Sequence, residues 1–268
     1  MMKAPHIRGT LSVLALVSAY CTGAAGQTSP SPASADLEER VRNLEQENQE
    51  LRKQVQSLKR IRSEWFQWKY GLTPPEMVRR DEAEREGWEK LDDLIELLGL
   101  QPGSTIADIG AGHGFFTFRF APVVGSAGKV YAVEIDETLV SRLKRRAGDS
   151  KVDNVHVVLA TATDPNLPSN SLDAIFIADV YHEMSDQAAV LERLGAALKP
   201  GGKLLVMDYI TDKLDGQPRD VQQVDHAISP ELVVVDLQRA GFTVDRVINP
   251  FNTDHPAGIS VYLVVAKL

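Results

Sequence analysis

The sequence predicts an α/β protein of the doubly wound kind, a mostly parallel sheet covered by helices on both faces, with a coiled-coil helix in front of it. Three observations carry this expectation. From Ser104 onward seven short apolar runs, near 104–109, 130–134, 155–159, 173–178, 203–209, 242–248 and 259–266, alternate with helical stretches near 115–122, 137–147, 186–198 and 230–240. A glycine-rich turn follows the first run, and leucines recur every seven residues well before it. The last two runs, joined without room for a crossover helix, are expected to pair antiparallel. Composition sets the frame: 268 residues, 43% of them apolar and 25% charged, allow one large domain with appendages. With 29 Lys+Arg against 37 Asp+Glu the formal charge is −8, so no global positive field exists to hold a nucleic acid.

Residues 1–26 read as a secretory signal peptide. Lys3 and Arg8 lead, the apolar run from Leu11 to Tyr20 is too short to span a bilayer, and Gly23-Ala24-Ala25-Gly26 supplies small residues behind it. Cleavage near Ala25 or Gly26 is expected, giving an exported periplasmic or secreted protein with no stable membrane span; an uncleaved signal would instead tether it. Cleavage takes away two cations and no acid, moving the formal charge to −10, and it removes Cys21, the only cysteine. Residues 27–36, a Ser/Pro/Ala stretch without periodicity, form a linker.

Residues 37–62 carry a heptad pattern. Leu37, Leu44, Leu51 and Leu58 occupy d, and Val41, Asn48 and Val55 occupy a. Valine at a with leucine at d favours two parallel strands, and a single Asn48 fixes their register. Arg40 would face Glu45 of the partner, and Glu47 would face Arg52. A parallel homodimer through residues 37–61 is therefore expected. A zipper that holds DNA needs a basic region directly before its heptads, and Ser31-Pro32-Ala33-Ser34-Ala35 stands there instead. Residues 63–81, with Trp65, Phe66, Trp68 and Pro74-Pro75, form a connector. A helix is expected from Glu82 to Leu98, stopped by Gly99, and opens the α/β domain of residues 82–268.

The strongest motif lies at the end of the first strand, where Asp108 precedes Gly110, Gly112 and Gly114. Glycines there let the backbone turn tightly and approach a ligand, while the following helix offers free N–H groups. A dinucleotide fingerprint would place its third glycine at position 115, which Phe115 occupies. The second run ends in Glu134-Ile135-Asp136. An acid at that terminus is placed to accept hydrogen bonds from the two vicinal hydroxyls of a ribose. Asp136, nearer the next helix, reads as its N-cap.

With these pieces in place, the sequence resembles the class I S-adenosylmethionine-dependent methyltransferases over about residues 80–268. Asp108 to Gly114 matches the nucleoside-binding loop, Glu134 the ribose-binding acid, Asp173-Ala174-Ile175-Phe176-Ile177 the fourth strand, and Leu198-Lys199-Pro200-Gly201-Gly202 the turn before the fifth. Asp164-Pro165-Asn166-Leu167-Pro168 and Asp179-Val180-Tyr181-His182-Glu183-Met184 resemble a bacterial small-molecule branch. The resemblance implies a Rossmann-like seven-stranded sheet with its last strand antiparallel, S-adenosylmethionine as cofactor and a small-molecule methyl acceptor. It further implies cofactor contacts from Asp108, Gly110, Gly112, His113, Gly114, Glu134, Ile135, Asp164 and Asp179. Many relatives bind the adenine amino group with an Asp in the third-strand loop. Here Thr163 holds that position and Asp164 follows, so either residue can make the contact; Asp164 is the expected one.

Methyl transfer from a sulfonium is an in-line displacement, which needs alignment and no covalent residue. A hydroxyl or acidic-carbon acceptor is helped by a general base. Asp179, Tyr181, His182 and Glu183 lie at the end of the fourth strand, and His182 has the most suitable unperturbed pKa. The plainer alternative is that His182 and Glu183 hold the loop structurally. His226 and His255, on late loops, are candidates to line the acceptor pocket, and no His/Cys/Asp spacing points to a metal site. The competing function is a non-catalytic dimeric scaffold or sensor that binds S-adenosylmethionine or S-adenosylhomocysteine.

Overall fold

A strand held between two helical layers must be apolar on both sides, and the central runs of the second half meet that requirement within one sheet. The computed structural model describes residues 39–44, 46, 82–83, 85, 89–253 and 260–268. The chain divides into two units, Met1–Pro75 and Glu76–Leu268. In the first unit, residues 39–44 and 46 are helical and Leu44, a d position, is exposed. The signal peptide, the linker, the rest of the heptad segment and the connector 63–81 lie outside the described residues. Among the described residues no helix is long and apolar enough to cross a membrane.

In the second unit the elements run α1 (Leu91–Leu98), β1 (Thr105–Ile109), α2 (Thr117–Val124), β2 (Lys129–Glu134), α3 (Glu137–Ser150), β3 (Val155–Leu159), β4 (Leu172–Ala178), a single 3₁₀ turn (Tyr181–Glu183), α4 (Gln187–Ala197), β5 (Leu198–Ile210), α5 (Arg219–Val224), α6 (Pro230–Arg239), β6 (Thr243–Asn252) and β7 (Ser260–Lys267). The sheet order is β3-β2-β1-β4-β5-β7-β6. Strands β1 to β5 run parallel to one another, while β7 runs antiparallel between β5 and β6. This is the expected mostly parallel, Rossmann-like sheet. The order reverses between β1 and β4, where a ligand crevice is expected at the carboxyl ends of the strands.

The period of two sorts side chains onto two cores. Ala107, Ile109, Ile175, Ile177, Leu204 and Val206 face α4 and α6, which contribute Leu191, Leu194, Val233 and Leu237. Ile106, Ala174, Phe176, Leu205 and Met207 face the other way, towards Leu94 and Leu98 of α1 and Phe120 and Val124 of α2. At the amino edge of the sheet, Asp173 accepts hydrogen bonds from Thr105 N (2.8 Å) and Lys199 Nζ (2.7 Å), fastening β1 to β4 and to the turn that opens β5. Asn154 there donates to the carbonyls of Ala121 and Gly125.

Two details differ from the expectation. The helix expected over Glu82–Leu98 is broken: helical residues occur at 82–83 and 85, and Lys90 takes a left-handed conformation (φ 45°, ψ 50°) before α1. Lys90 is tied elsewhere, since its Nζ donates to the Phe251 carbonyl at 2.8 Å and lies over the Phe251 ring. The short helix α5 was also not anticipated, because at six residues it carries too little apolar periodicity to read.

Candidate active site

The three glycines of the β1–α2 turn share one backbone requirement and differ in what surrounds them. All three have positive φ: 70° at Gly110, 56° at Gly112 and 88° at Gly114. A Cβ on Gly110 would lie 2.4 Å from Val180 Cγ2, in the turn after β4. One on Gly114 would lie 2.7 Å from the Phe118 ring and 2.8 Å from Leu143. At Gly112 the nearest atom to such a carbon is the Gly110 carbonyl at 3.9 Å, so this position is a cradle open to a ligand.

Glu134, at the end of β2, closes the turn. Its Oε2 accepts from Gly112 N (2.9 Å), and its Oε1 accepts from Ile135 N (2.8 Å) and Asp136 N (3.0 Å). A carboxylate has about four lone-pair sites; three are taken by backbone, and acceptor capacity remains for a hydroxyl. Ile135 beside it is 63% exposed, offering apolar surface to a planar base. Asp136 is the N-cap of α3, accepting from Thr138 N and Leu139 N, as expected. His113 is exposed on the loop, its carbonyl held by Arg146 Nη1 at 2.8 Å. In the loop after β3, Asp164 Oδ1 accepts from Asn166 N (2.8 Å), its Oδ2 lies 4.0 Å from Arg193, and Thr163 is exposed. Asp179 sits at the end of β4 in a left-handed conformation (φ 55°), with Oδ2 3.9 Å from Arg85.

Asp108 stands beneath the turn and not on it. Only 3% exposed, it accepts a hydrogen bond from the Thr117 hydroxyl and so positions the loop from below. Burial pushes its carboxyl up to about 6, against the hydrogen bonds from Thr117 and the charge of Arg85. An acid whose folded pKa exceeds its unfolded value holds its proton more tightly when folded. Its stabilising effect is therefore full below about pH 4 and is lost as pH rises towards 6, a change of up to ~3 kcal/mol. Asp108→Asn keeps an acceptor for Thr117 and removes the titration. At pH 7.5 its melting temperature should exceed wild type by ~2–4 °C per kcal/mol recovered, and at pH 4 the gain should vanish; melts showing an equal gain at both pH values would refute the assignment.

The turn after β4 divides the expected catalytic residues. Tyr181 is corrected from catalytic to structural: it is fully buried, and its hydroxyl donates to Asp236 Oδ2 at 2.9 Å. Burial, with Asp236, pushes its phenol far above the neutral range, so it neither gives nor takes a proton there. His182 is different. Its Nδ1 lies 2.9 Å and 3.1 Å from the two oxygens of Asp208, a carboxylate fully buried on β5. The carboxylate assigns the hydrogen to Nδ1 and leaves a lone pair on Nε2. Burial draws the imidazole down, but the Asp208 hydrogen bond and charge, with Glu183 and Asp179, more than reverse this, and its pKa is raised. Asp208 was missed from sequence. Its signal was an acid inside the apolar run Leu204-Leu205-Val206-Met207-Asp208-Tyr209-Ile210, where an unpartnered charge would be costly. His255 lies outside the described residues, and His156 is on edge strand β3 beside the Tyr131 ring.

A doubly wound sheet with this strand order, an open glycine cradle after β1 and an acid at the end of β2 tied to that cradle together define the S-adenosylmethionine-dependent methyltransferase class. The residues present fit the cofactor: Gly112 leaves room, Glu134 retains an acceptor and Ile135 is apolar and exposed. Residues 100–246 match the sequence profile described as a methyltransferase domain, and the chain belongs to that family. Among curated relatives, the ubiquinone/menaquinone biosynthesis C-methyltransferase UbiE of Vibrio cholerae is 34% identical over 123 residues, covering 46% of this chain and 46% of that protein. The corresponding protein of a Shewanella species is 34% identical over 116 residues, 43% of this chain and 46% of that one. The chain thus spans about half the length of the curated relatives it matches. Among solved structures, a SAM-dependent methyltransferase from Aquifex aeolicus aligns with TM-score 0.60 and 27% identity, covering 73% of this chain and 98% of that one. Phosphoethanolamine N-methyltransferase 2 of Haemonchus contortus, solved with S-adenosyl-L-methionine, aligns with TM-score 0.54 and 18% identity over 67% of this chain and 52% of its own, a likeness of fold.

Proposed function

We propose that this protein transfers a methyl group from S-adenosylmethionine to a small-molecule acceptor at the carboxyl ends of β1, β2 and β4. The observation that carries the reading is the open cradle at Gly112, held by Glu134. When bound, S-adenosylmethionine supplies a methyl group on a sulfonium, already a good leaving group. The chain's own share is alignment and exclusion of water. Glu134 fixes the glycine turn and would accept from the ribose, Ile135 would lie against the base, and Asp108 and Thr117 hold the turn from beneath. On the acceptor side, the lone pair of His182 Nε2, oriented by Asp208, is the chain's means of making the acceptor nucleophilic. The curated relatives are named as C-methyltransferases of ubiquinone and menaquinone biosynthesis, which supports a small organic acceptor.

The heptads of residues 37–61 support a parallel dimer, and residues 1–26 support export after cleavage. Native mass spectrometry of the protein, produced with its complete N-terminus and incubated with S-adenosylmethionine, tests all three. The expected species is a dimer of chains shortened by about 25 residues, each carrying an adenosyl ligand. Absence of any adenosyl adduct at millimolar cofactor would overturn the enzymatic reading, a monomer would remove the dimer, and an intact Met1 would remove cleavage.

A further inference from the structure

His182, Glu183 and His226 are brought together although the third lies 43 positions after the second. Their ligand atoms lie within 4.8 Å of one another. Glu183 Oε1 stands 3.9 Å from His182 Nε2 and 3.9 Å from His226 Nδ1, and the two imidazole rings cross at 83° with centroids 5.9 Å apart. We infer that these three side chains form a binding site for a divalent transition cation, which holds an oxygen of the methyl acceptor beside the cofactor site. The inference rests on the methyltransferase reading and names the device that activates the acceptor. A base at His182 and a ligand at His182 need the same Nε2 lone pair, and the two further donor atoms gathered beside it favour the ligand.

The surroundings are those of a supported metal site. The second nitrogen of His182 is fixed by the buried Asp208 carboxylate, the outer-shell partner that orients a ligating histidine and raises its basicity. His226 is held at φ 55°, a left-handed conformation unusual for a side-chain-bearing residue. Its turn is locked to the other ligands: Gln223 donates to the His182 carbonyl at 2.8 Å and the Met184 carbonyl at 3.1 Å, and buried Gln222 accepts from Ser229 N. Two imidazoles and one carboxylate suit zinc, iron or a neighbouring ion better than magnesium or calcium.

A tetrahedral ion with bonds of about 2.0–2.1 Å sets its ligands about 3.4 Å apart, so the trio is somewhat open. Closure falls to Glu183 and His226, whose side chains are 61% and 70% exposed, while His182 is held by Asp208. Three protein ligands leave a coordination position for the acceptor. A phenol or enol bound there loses its proton to solvent, because the cation stabilises the oxyanion. The oxygen or the adjacent electron-rich carbon then bonds to the methyl as the S–CH₃ bond breaks, and the electron pair stays on sulfur; a methylated ring carbon afterwards gives its proton to solvent, which restores the aromatic oxyanion.

The test is zinc binding to the full chain, stripped with a chelator and titrated in competition with a chromophoric chelator, beside calorimetry with S-adenosylmethionine. Wild type should bind one equivalent of zinc saturably. His226→Asn, which keeps a residue tolerant of the left-handed backbone, and Glu183→Gln should each weaken zinc at least about tenfold, and Asp208→Asn about 10–100-fold. Cofactor binding in His226→Asn should match wild type, showing that the fold is kept. A wild-type chain that binds S-adenosylmethionine but no equivalent of zinc, or zinc affinity unchanged in His226→Asn, overturns the site. Zinc bound without any affinity for S-adenosylmethionine would instead sink the methyltransferase reading and leave the metal site standing.

Discussion

Gly110→Ala is expected to destabilise the protein by about 2–5 kcal/mol, whereas Gly112→Ala should cost only about 1–2 kcal/mol. Both place a side chain in the left-handed region, at about 1–2 kcal/mol each. Only at Gly110 does the added carbon also collide with a packed neighbour, 2.4 Å from Val180 Cγ2, and overpacking of that kind adds about 1–3 kcal/mol. Cofactor affinity should invert the contrast per unit of stability lost. The Gly112 methyl enters the open cradle, so Gly112→Ala should stay folded and bind S-adenosylmethionine at least about tenfold more weakly, a loss of about 1.4 kcal/mol. Urea denaturation and calorimetry of the two variants check this. Equal stabilities, or wild-type affinity in Gly112→Ala, would refute the division of labour between the glycines.

Glu134→Gln should be the most damaging isosteric change at the cofactor site. Both carboxylate oxygens are used, one by Gly112 N and the other by Ile135 N and Asp136 N. Whichever oxygen becomes an NH₂ group sets a donor against a donor. An unsatisfied buried N–H costs about 1–3 kcal/mol, and hydrogen bonds to a charged acceptor are worth about 1.5–3 kcal/mol. The expected outcome is a roughly 10–100-fold rise in KM for S-adenosylmethionine with kcat far less affected, since the proposed role of Glu134 is to hold the ribose, away from the reacting atoms. A fall confined to kcat would place Glu134 elsewhere in the mechanism.

Much of this site was legible in the sequence, for a physical reason. The cofactor half depends on residues adjacent along the chain: three glycines within five positions and an acid ending the next strand. Asp136 was readable as a cap in the same way. The proposed acceptor side is built by tertiary approach. Asp208 on β5 meets His182 in the turn after the neighbouring β4, and His226 arrives from the turn after α5, so no local spacing announces either. Tyr181 misled because it sits between Asp179 and His182 in the chain; the 3₁₀ turn sends it into the core, where Asp236, itself paired with Arg219, accepts its hydrogen bond. Lys90 broke an apparently continuous helix through a bond to Phe251, 161 residues away.

The parallel course of β1 to β5 separates two kinds of tolerance. Fastenings such as Asp173 with Thr105 and Lys199 lie at the amino edge, and the candidate site residues lie at the opposite edge. A loop after β3 or β5 can therefore be exchanged for one of another length while the joints of the sheet stay untouched. Acceptor choice in such a molecule is a replaceable fitting, and its inheritance need not follow that of the frame.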